Sequence, residues 1–140
     1  MAVEGCIFCK IIAGQIPSVK IYENEAVFSF LDVNPVSDGH TLVVPKTHYD
    51  RLHDCPAEVL SEIIVPLGKI GKAVCDAVGA DGYNVLCNNG EAAGQIVGHL
   101  HFHIVPRRSN DGVFNKWPAF TYEQGKIEQI GREICEHLSE

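Results

Sequence analysis

The chain has 140 residues, 46% hydrophobic and 21% charged, which suits a single domain, residues 1–140, with its own hydrophobic core. Its net charge is −7 with neutral histidines, a balance that argues against a sequence-independent nucleic-acid binder while leaving room for a nucleotide in a local pocket. No apolar run approaches the roughly 18 residues of a membrane span, and the N-terminus lacks the basic and apolar regions of a signal peptide. A cytoplasmic protein with mostly reduced cysteines, no membrane partner and no nucleic-acid partner is expected.

The elements follow in chain order. Cys6-x-x-Cys9 reads as a pair of thiols flanking a short turn. Ser18 to Tyr22 and Ala26 to Leu31 read as strands around the Glu23-Asn24-Glu25 turn. Asn34-Pro35 closes the second, because a residue before proline is pushed away from helix. Asp38-Gly39 signals a turn into Thr41-Leu42-Val43-Val44, a buried-type strand stopped by Pro45. Pro56 to Val78 reads as a helix, with Leu60, Ile63, Ile64, Leu67, Ile70 and Val74 at helical spacing and Gly79 as its stop. Pro66 predicts a kink or break within it. Tyr83 to Cys87 is a strand, Asn88-Asn89-Gly90 a turn, and 99–105 another strand ended by Pro106-Arg107-Arg108. Tyr122 to Leu138 is a second amphipathic helix. Strands clustered around a few helices, without βαβ alternation, point to an α+β fold with an antiparallel sheet. Cys75, Cys87 and Cys135 fall in apolar patterns and are expected in the core, while His53 and His137 are expected to face solvent.

The most informative stretch is His99-Leu100-His101-Phe102-His103, followed by Ile104-Val105. In a strand, alternate side chains share a face, so three imidazoles would stand in a row at roughly 6.5–7 Å intervals. Leu100, Phe102 and Ile104 would point into a core. Three imidazoles in succession imply metal ligation, nucleophilic attack or proton transfer. Composition and spacing do not choose among these. A plain polar face is the weakest reading, since adjacent imidazoles add nothing to stability.

The stretch from Gly94-Gln95 to Pro106-Arg107 contains His-φ-His-φ-His-φ-φ, with φ hydrophobic, and resembles the signature of the histidine triad (HIT) superfamily. Cys6-Ile7-Phe8-Cys9, Phe30-Leu31-Asp32-Val33-Asn34-Pro35 and Gly39-His40-Thr41-Leu42-Val43-Val44-Pro45-Lys46-Thr47-His48 resemble other segments of that family in the same order. The resemblance implies a five-stranded antiparallel sheet with two main helices, and a homodimer that joins two sheets into a continuous ten-stranded one. It implies hydrolysis or nucleotidyl transfer at the α-phosphate of a purine nucleotide, such as an AMP phosphoramidate, with no organic cofactor.

Residue by residue, the resemblance assigns nucleophilic attack to His101 and the management of protons and charge to His103 and His40. It places Asp32 at the ribose hydroxyls, and Ile7, Phe8, Phe30 and Leu42 around the base. Asn88, Gly94 and Gln95 fall on the phosphate and leaving-group side. Each also has a plainer reading: core for Phe30 and Leu42, a turn for Asn88, and a strand stop for Asp32. Ile96 stands where many members of the family carry Ser or Thr, which removes a hydroxyl from the phosphate side. In one subset of the family, Cys6, Cys9, His48 and His99 would hold one structural zinc per chain, a closed tetrahedral set with no position open to substrate. Two other readings compete: a dinucleoside polyphosphate hydrolase, and a zinc-stabilised nucleotide-binding interaction protein with little turnover.

Overall fold

A computed structural model describes residues 2–139. In chain order these form α1 (Ile7–Ile12), β1 (Lys20–Glu23), β2 (Val27–Leu31), β3 (Thr41–Pro45), α2 (Ala57–Val78), β4 (Gly82–Leu86), β5 (Phe102–Arg107) and α3 (Lys126–Leu138). The strands make one antiparallel sheet in the order β1-β2-β3-β5-β4, as the α+β reading requires.

Helix α2 covers one face of the sheet. Ile63, Leu67, Ile70 and Val74 pack there against Val27, Val43, Leu100, Phe102 and Ile104. The other face carries Phe28, Phe30, Leu42 and Val44, closed over by Phe8 and Ile11 of α1. Both faces of β2 and β3 are therefore covered, which is why these strands are buried almost throughout and the one polar side chain inside β2, Ser29, donates its hydroxyl to the Leu42 carbonyl at 2.9 Å.

Several expectations need correction. Cys6 to Ile12 is no simple turn: Ile7–Ile12 is a short helix, and Cys6 Sγ caps it by accepting the Cys9 N–H at 3.4 Å. Pro66 does not break α2, which runs from Ala57 to Val78. The carbonyl left without a partner belongs to Glu62, on the exposed side where water can reach it, while Pro66 itself packs inward. Ile64 lies on the outer face, and Cys135 is exposed on α3, because α3 buries none of its residues within the chain. Cys75 is buried, Cys87 half-buried, and His53 and His137 face solvent.

The histidine strand is also shifted. β5 begins at Phe102, three residues later than expected, and runs through Pro106. Pro45, the position that would extend pairing toward His99, has no N–H to give. Its carbonyl accepts from the His99 ring instead, and the Leu100 N–H donates to the Tyr49 carbonyl. At the far end, pairing between β3 and β5 stops at Ile104, so the missing N–H of Pro106 faces no ladder partner, and its carbonyl accepts from Ser37 Oγ at 2.8 Å.

Candidate active site

His103 leaves β5 on the α1 face, opposite Leu42 in the register with β3. His40 enters just before β3. Gly39 sets it up with φ +88°, and any Cβ there would meet Val74 and Val78 at 3.0 Å, so only glycine fits this turn. The Asp32 N–H donates to the His40 carbonyl at 2.9 Å, which brings the end of β2 beside His40. Asp32 Oδ1 then caps its own turn by accepting the Asn34 N–H, while Oδ2 sits 3.7 Å from His40 Nε2. Asp32 thus stops its strand and also lies beside His40.

The hydrogen-bond partners fix the tautomers of these rings in their neutral form. His40 Nδ1 accepts the Val36 N–H at 3.1 Å, so its proton is on Nε2 and is donated to His103 Nδ1 at 2.9 Å. The His103 proton then lies on Nε2, a buried atom with no partner among the described residues. His101 Nδ1 donates to the His99 carbonyl at 2.7 Å, which leaves the Nε2 lone pair of His101 free. The His101 and His103 rings are 4.9 Å apart, closer than their strand spacing, because they tilt toward one another. A free lone pair and a free N–H donor therefore stand side by side.

Burial keeps these rings neutral. It pushes His103 down to about 4, aided by the charges of His101 and His40 and opposed by Asp32. Burial lowers His40 too, with Asp32 opposing. It also lowers His101, against the pull of the His99 carbonyl and Asp32.

A cavity of about 290 Å³ opens over this pair. Its lining includes Ile7, Phe8, Phe30, Leu42 and Asp32 together with Gly94, Ile96, His101 and His103. Phe8 stands edge-on to His101 at 5.0 Å and to Phe30 at 5.5 Å. Apolar walls with a few convergent polar groups are the usual make-up of a small-molecule site. Two expected members lie outside it. Asn88 sits behind Gly94, its amide 3.5 Å from where a Gly94 Cβ would be. Gln95 is a loop staple: its Oε1 accepts the Gly90 N–H at 2.8 Å and its Nε2 donates to the Asp50 carbonyl at 2.7 Å. Ile96, at 94% exposed, stands on the rim beside it.

His99 does not join this group, so the three histidines are not one ligand set. Its Nε2 donates to the Pro45 carbonyl at 2.8 Å, and its Nδ1 faces Cys6 Sγ and Cys9 Sγ at 3.4 and 3.6 Å. His48 mirrors it, with Nε2 on Asp50 at 2.8 Å and Nδ1 at 3.5 Å from Cys9 Sγ. Cys6, Cys9, His48 and His99 thus turn four ligand atoms, all within 4.8 Å of one another, to a common centre that could hold a metal ion. A partner on the far nitrogen of each ring is the arrangement metal-bound imidazoles require. Asp32, His40 and His103 also lie close together, but the His40 proton on Nε2 occupies the atom that would have to ligate. Sequence reasoning missed Asp50 and the Pro45 carbonyl. His48-x-Asp50 was a readable signal for the first, whereas a backbone carbonyl leaves none.

The chain is similar to known proteins in both sequence and fold. The HIT domain family matches residues 13–110. The chain is 39% identical over 140 residues to the adenosine 5'-monophosphoramidase HNT1 of Candida albicans, covering 96% of this chain and 92% of that protein. The crystal structure of a HIT family member from Bacillus subtilis superposes with a TM-score of 0.87 at 42% identity, covering 95% of this chain and 96% of that one. A zinc-bound histidine triad family protein from Mycobacterium smegmatis superposes with a TM-score of 0.74 at 38% identity, covering 89% of this chain and 86% of that one.

Proposed function

The chain belongs to the HIT domain family, and from that premise we propose that it is a hydrolase of purine nucleoside 5'-phosphoramidates and related AMP-X compounds. The observation that carries this reading is the free Nε2 lone pair of His101 beside the unpartnered Nε2–H of His103, at the floor of a cavity with apolar walls.

In this reading the base lies between Ile7, Phe8, Phe30 and Leu42, and Asp32 accepts from the ribose hydroxyls. His101 Nε2 attacks the α-phosphorus, and the bond from phosphorus to the leaving nitrogen breaks. The amine departs toward the open rim by Gly94 and Ile96, where water supplies its proton. The positive charge that forms on the His101 ring is met by the His99 carbonyl at Nδ1 and by the Asp32 carboxylate. His103 Nε2–H donates to a phosphoryl oxygen, and His40 holds His103 in the tautomer that can do so. Water then cleaves the P–Nε2 bond, releasing the nucleoside monophosphate and restoring neutral His101. Asn88 and Gln95 act indirectly in this scheme, by shaping the loop that presents Gly94.

Cys6, Cys9, His48 and His99 would hold one zinc ion per chain. A closed Cys₂His₂ set supplies cross-linking and no reactive coordination position. We also place two chains in a homodimer joined along β4, one of the two edge strands of the sheet. The exposed apolar side chains Tyr83 and Val85 on that strand and Val65 on α2 support this, as does the uncovered apolar stripe of α3. No helix among the described residues is long and apolar enough to cross a membrane. The setting we propose for the chain is the cytoplasm.

The deciding test is a rate comparison of AMP-morpholidate with diadenosine tri- and tetraphosphate. Preferred turnover of the phosphoramidate is expected. Preference for the dinucleotides would assign the chain to polyphosphate hydrolysis, and negligible turnover of all three to a binding role. Elemental analysis is expected to find about one zinc per chain, the content of a single closed site.

A further inference from the structure

The metal-ligating cluster and the nucleotide cavity share one short piece of chain. Cys6 and Cys9 flank Ile7 and Phe8, and both of these line the cavity. Phe8 is buried, with its ring edge-on to His101 at 5.0 Å, to Phe30 at 5.5 Å and to His99 at 5.9 Å. The wall of the base pocket is thus the stretch between two ligands.

The two halves of the cluster are anchored unequally. His99 and His48 are each held at Nε2, by the Pro45 carbonyl and by Asp50, and the Tyr49 carbonyl accepts the Leu100 N–H at 2.6 Å to tie their backbones together. These bonds do not involve a metal. On the other side, the hydrogen bonds that Cys6 and Cys9 make within their own segment come from Val3 and Cys9 N–H groups. α1 has six residues, far below the length at which a helix persists without tertiary support. Phe8 and Ile11 pack α1 on the sheet, but only thiol–imidazole contacts at 3.4–3.6 Å join Cys6 and Cys9 to His99 and His48, and a metal ion would replace these with a firm cross-link to the frame that carries His99. His101 is oriented from that frame, by the His99 carbonyl, and does not depend on α1 for its tautomer.

Resting on the nucleotide-hydrolase reading, we propose that the metal site sets the nucleotide affinity of the cavity, with Phe8 as the positioning residue that transmits it, so that metal and nucleotide bind cooperatively. Metal occupancy fixes Cys6 and Cys9, these fix Phe8 against Phe30 and His101, and the base enters a formed slot. Loss of the metal leaves the wall held by apolar packing alone, and so less sharply placed, while the nucleophile stays in position. The signature is an increase in KM that exceeds any fall in kcat.

Cooperativity of this kind is reciprocal: if metal tightens nucleotide binding, nucleotide tightens metal binding by the same factor. The experiment uses the full-length protein and AMP as the probe. Zinc affinity is measured by competition with a chromogenic chelator, with and without AMP. AMP affinity is measured by calorimetry on zinc-loaded and zinc-stripped protein, well below the melting temperature of each. We expect a coupling factor of about tenfold in both directions, within the usual range for linked sites, and its disappearance in Phe8→Ala. Phe8→Leu, which keeps apolar bulk but loses the ring edge at His101, is the second variant, with coupling reduced to about threefold or less on the same scale.

Equal zinc affinity with and without AMP, or an undiminished factor in the Phe8 variants, would overturn the proposal. Protein that binds AMP but takes up no zinc would overturn it together with the metal assignment. Protein that binds zinc but not AMP would overturn it through the nucleotide reading instead.

Discussion

A buried imidazole can attack, donate or ligate, and the choice follows from which of its nitrogens is already occupied. Here the occupied atom differs ring by ring. His99 and His48 are held at Nε2 and offer Nδ1 to the cysteines, while His101 is held at Nδ1 and offers Nε2 to the cavity. His101→Ala should therefore remove nearly all turnover and leave nucleotide binding largely intact, because Asp32 and the apolar walls are untouched. Rapid quench with a labelled AMP phosphoramidate should trap an acid-labile nucleotide on the 99–105 peptide of the wild type; robust turnover by the alanine variant would exclude the covalent route. His103→Ala should slow turnover by about 10²–10⁴-fold, the range for lost acid–base assistance.

Acidity provides a separate check at the same scale. His103 and His40 face each other, His101 and Asp32, and burial holds both rings below the ordinary histidine value, His103 at about 4. A depressed value means the ring stays neutral as pH falls past 6.5 and charges only lower down. Activity that needs the His40-to-His103 donor chain should be retained at pH 6 and lost on an acid limb between about 4 and 6, given such a depression. A kcat/KM profile with its acid midpoint at or above 6.5 would contradict the neutral chain.

At the scale of elements, the clearest constraint is where α2 crosses β4. Gly71 lies on the buried side of the helix, and a Cβ added there would meet the Tyr83 ring at 2.5 and 2.6 Å. Glycine to alanine in a helix normally gains about 1 kcal/mol, but forcing a ring out of a packed contact costs about 1–3 kcal/mol. Because the inner edge of the partly exposed Tyr83 ring lies against Gly71, Gly71→Ala should lower stability by about 1 kcal/mol net of these two effects. In a Tyr83→Ala background the same change should turn stabilising. Denaturant midpoints of the four proteins measure this directly, and equal effects in both backgrounds would show the contact to be unimportant.

For the whole molecule, α3 poses the largest question. It has a clear apolar stripe, yet Ile127, Ile134 and Leu138 remain exposed in the single chain, as do Trp117 and Phe120 before it. Such surface is seldom left to water. Together with the free edge of β4, it leads us to expect a dimer at micromolar concentration, with more than about 2,000 Å² buried in total as is usual for obligate pairs. Val85→Glu, which puts a charge on that edge, should shift sedimentation toward monomer. A wild-type protein that sediments as a clean monomer would remove the basis for the paired-sheet assembly.

The sequence by itself determined the α+β class, the five strands, the two long helices and the chemistry-bearing residues. These are local signals: apolar periodicity, turn residues, and a run of alternating imidazoles. It also determined that His48 and His99 could join Cys6 and Cys9, since all four resemble a known ligand set. Only the tertiary structure decided how the histidines divide. His99 and His101 are two residues apart and face different groups, the cysteines and the cavity, because Pro45 ends the ladder before His99 and gives its ring a carbonyl instead of a strand partner. Tertiary structure likewise shows Gln95 pinning its loop to Gly90 and Asp50, and exposed Cys135 by giving α3 nothing within the chain to pack on. Periodicity reports that a face is apolar, but what covers that face depends on contacts between segments far apart in sequence, and those exist only once the chain has folded.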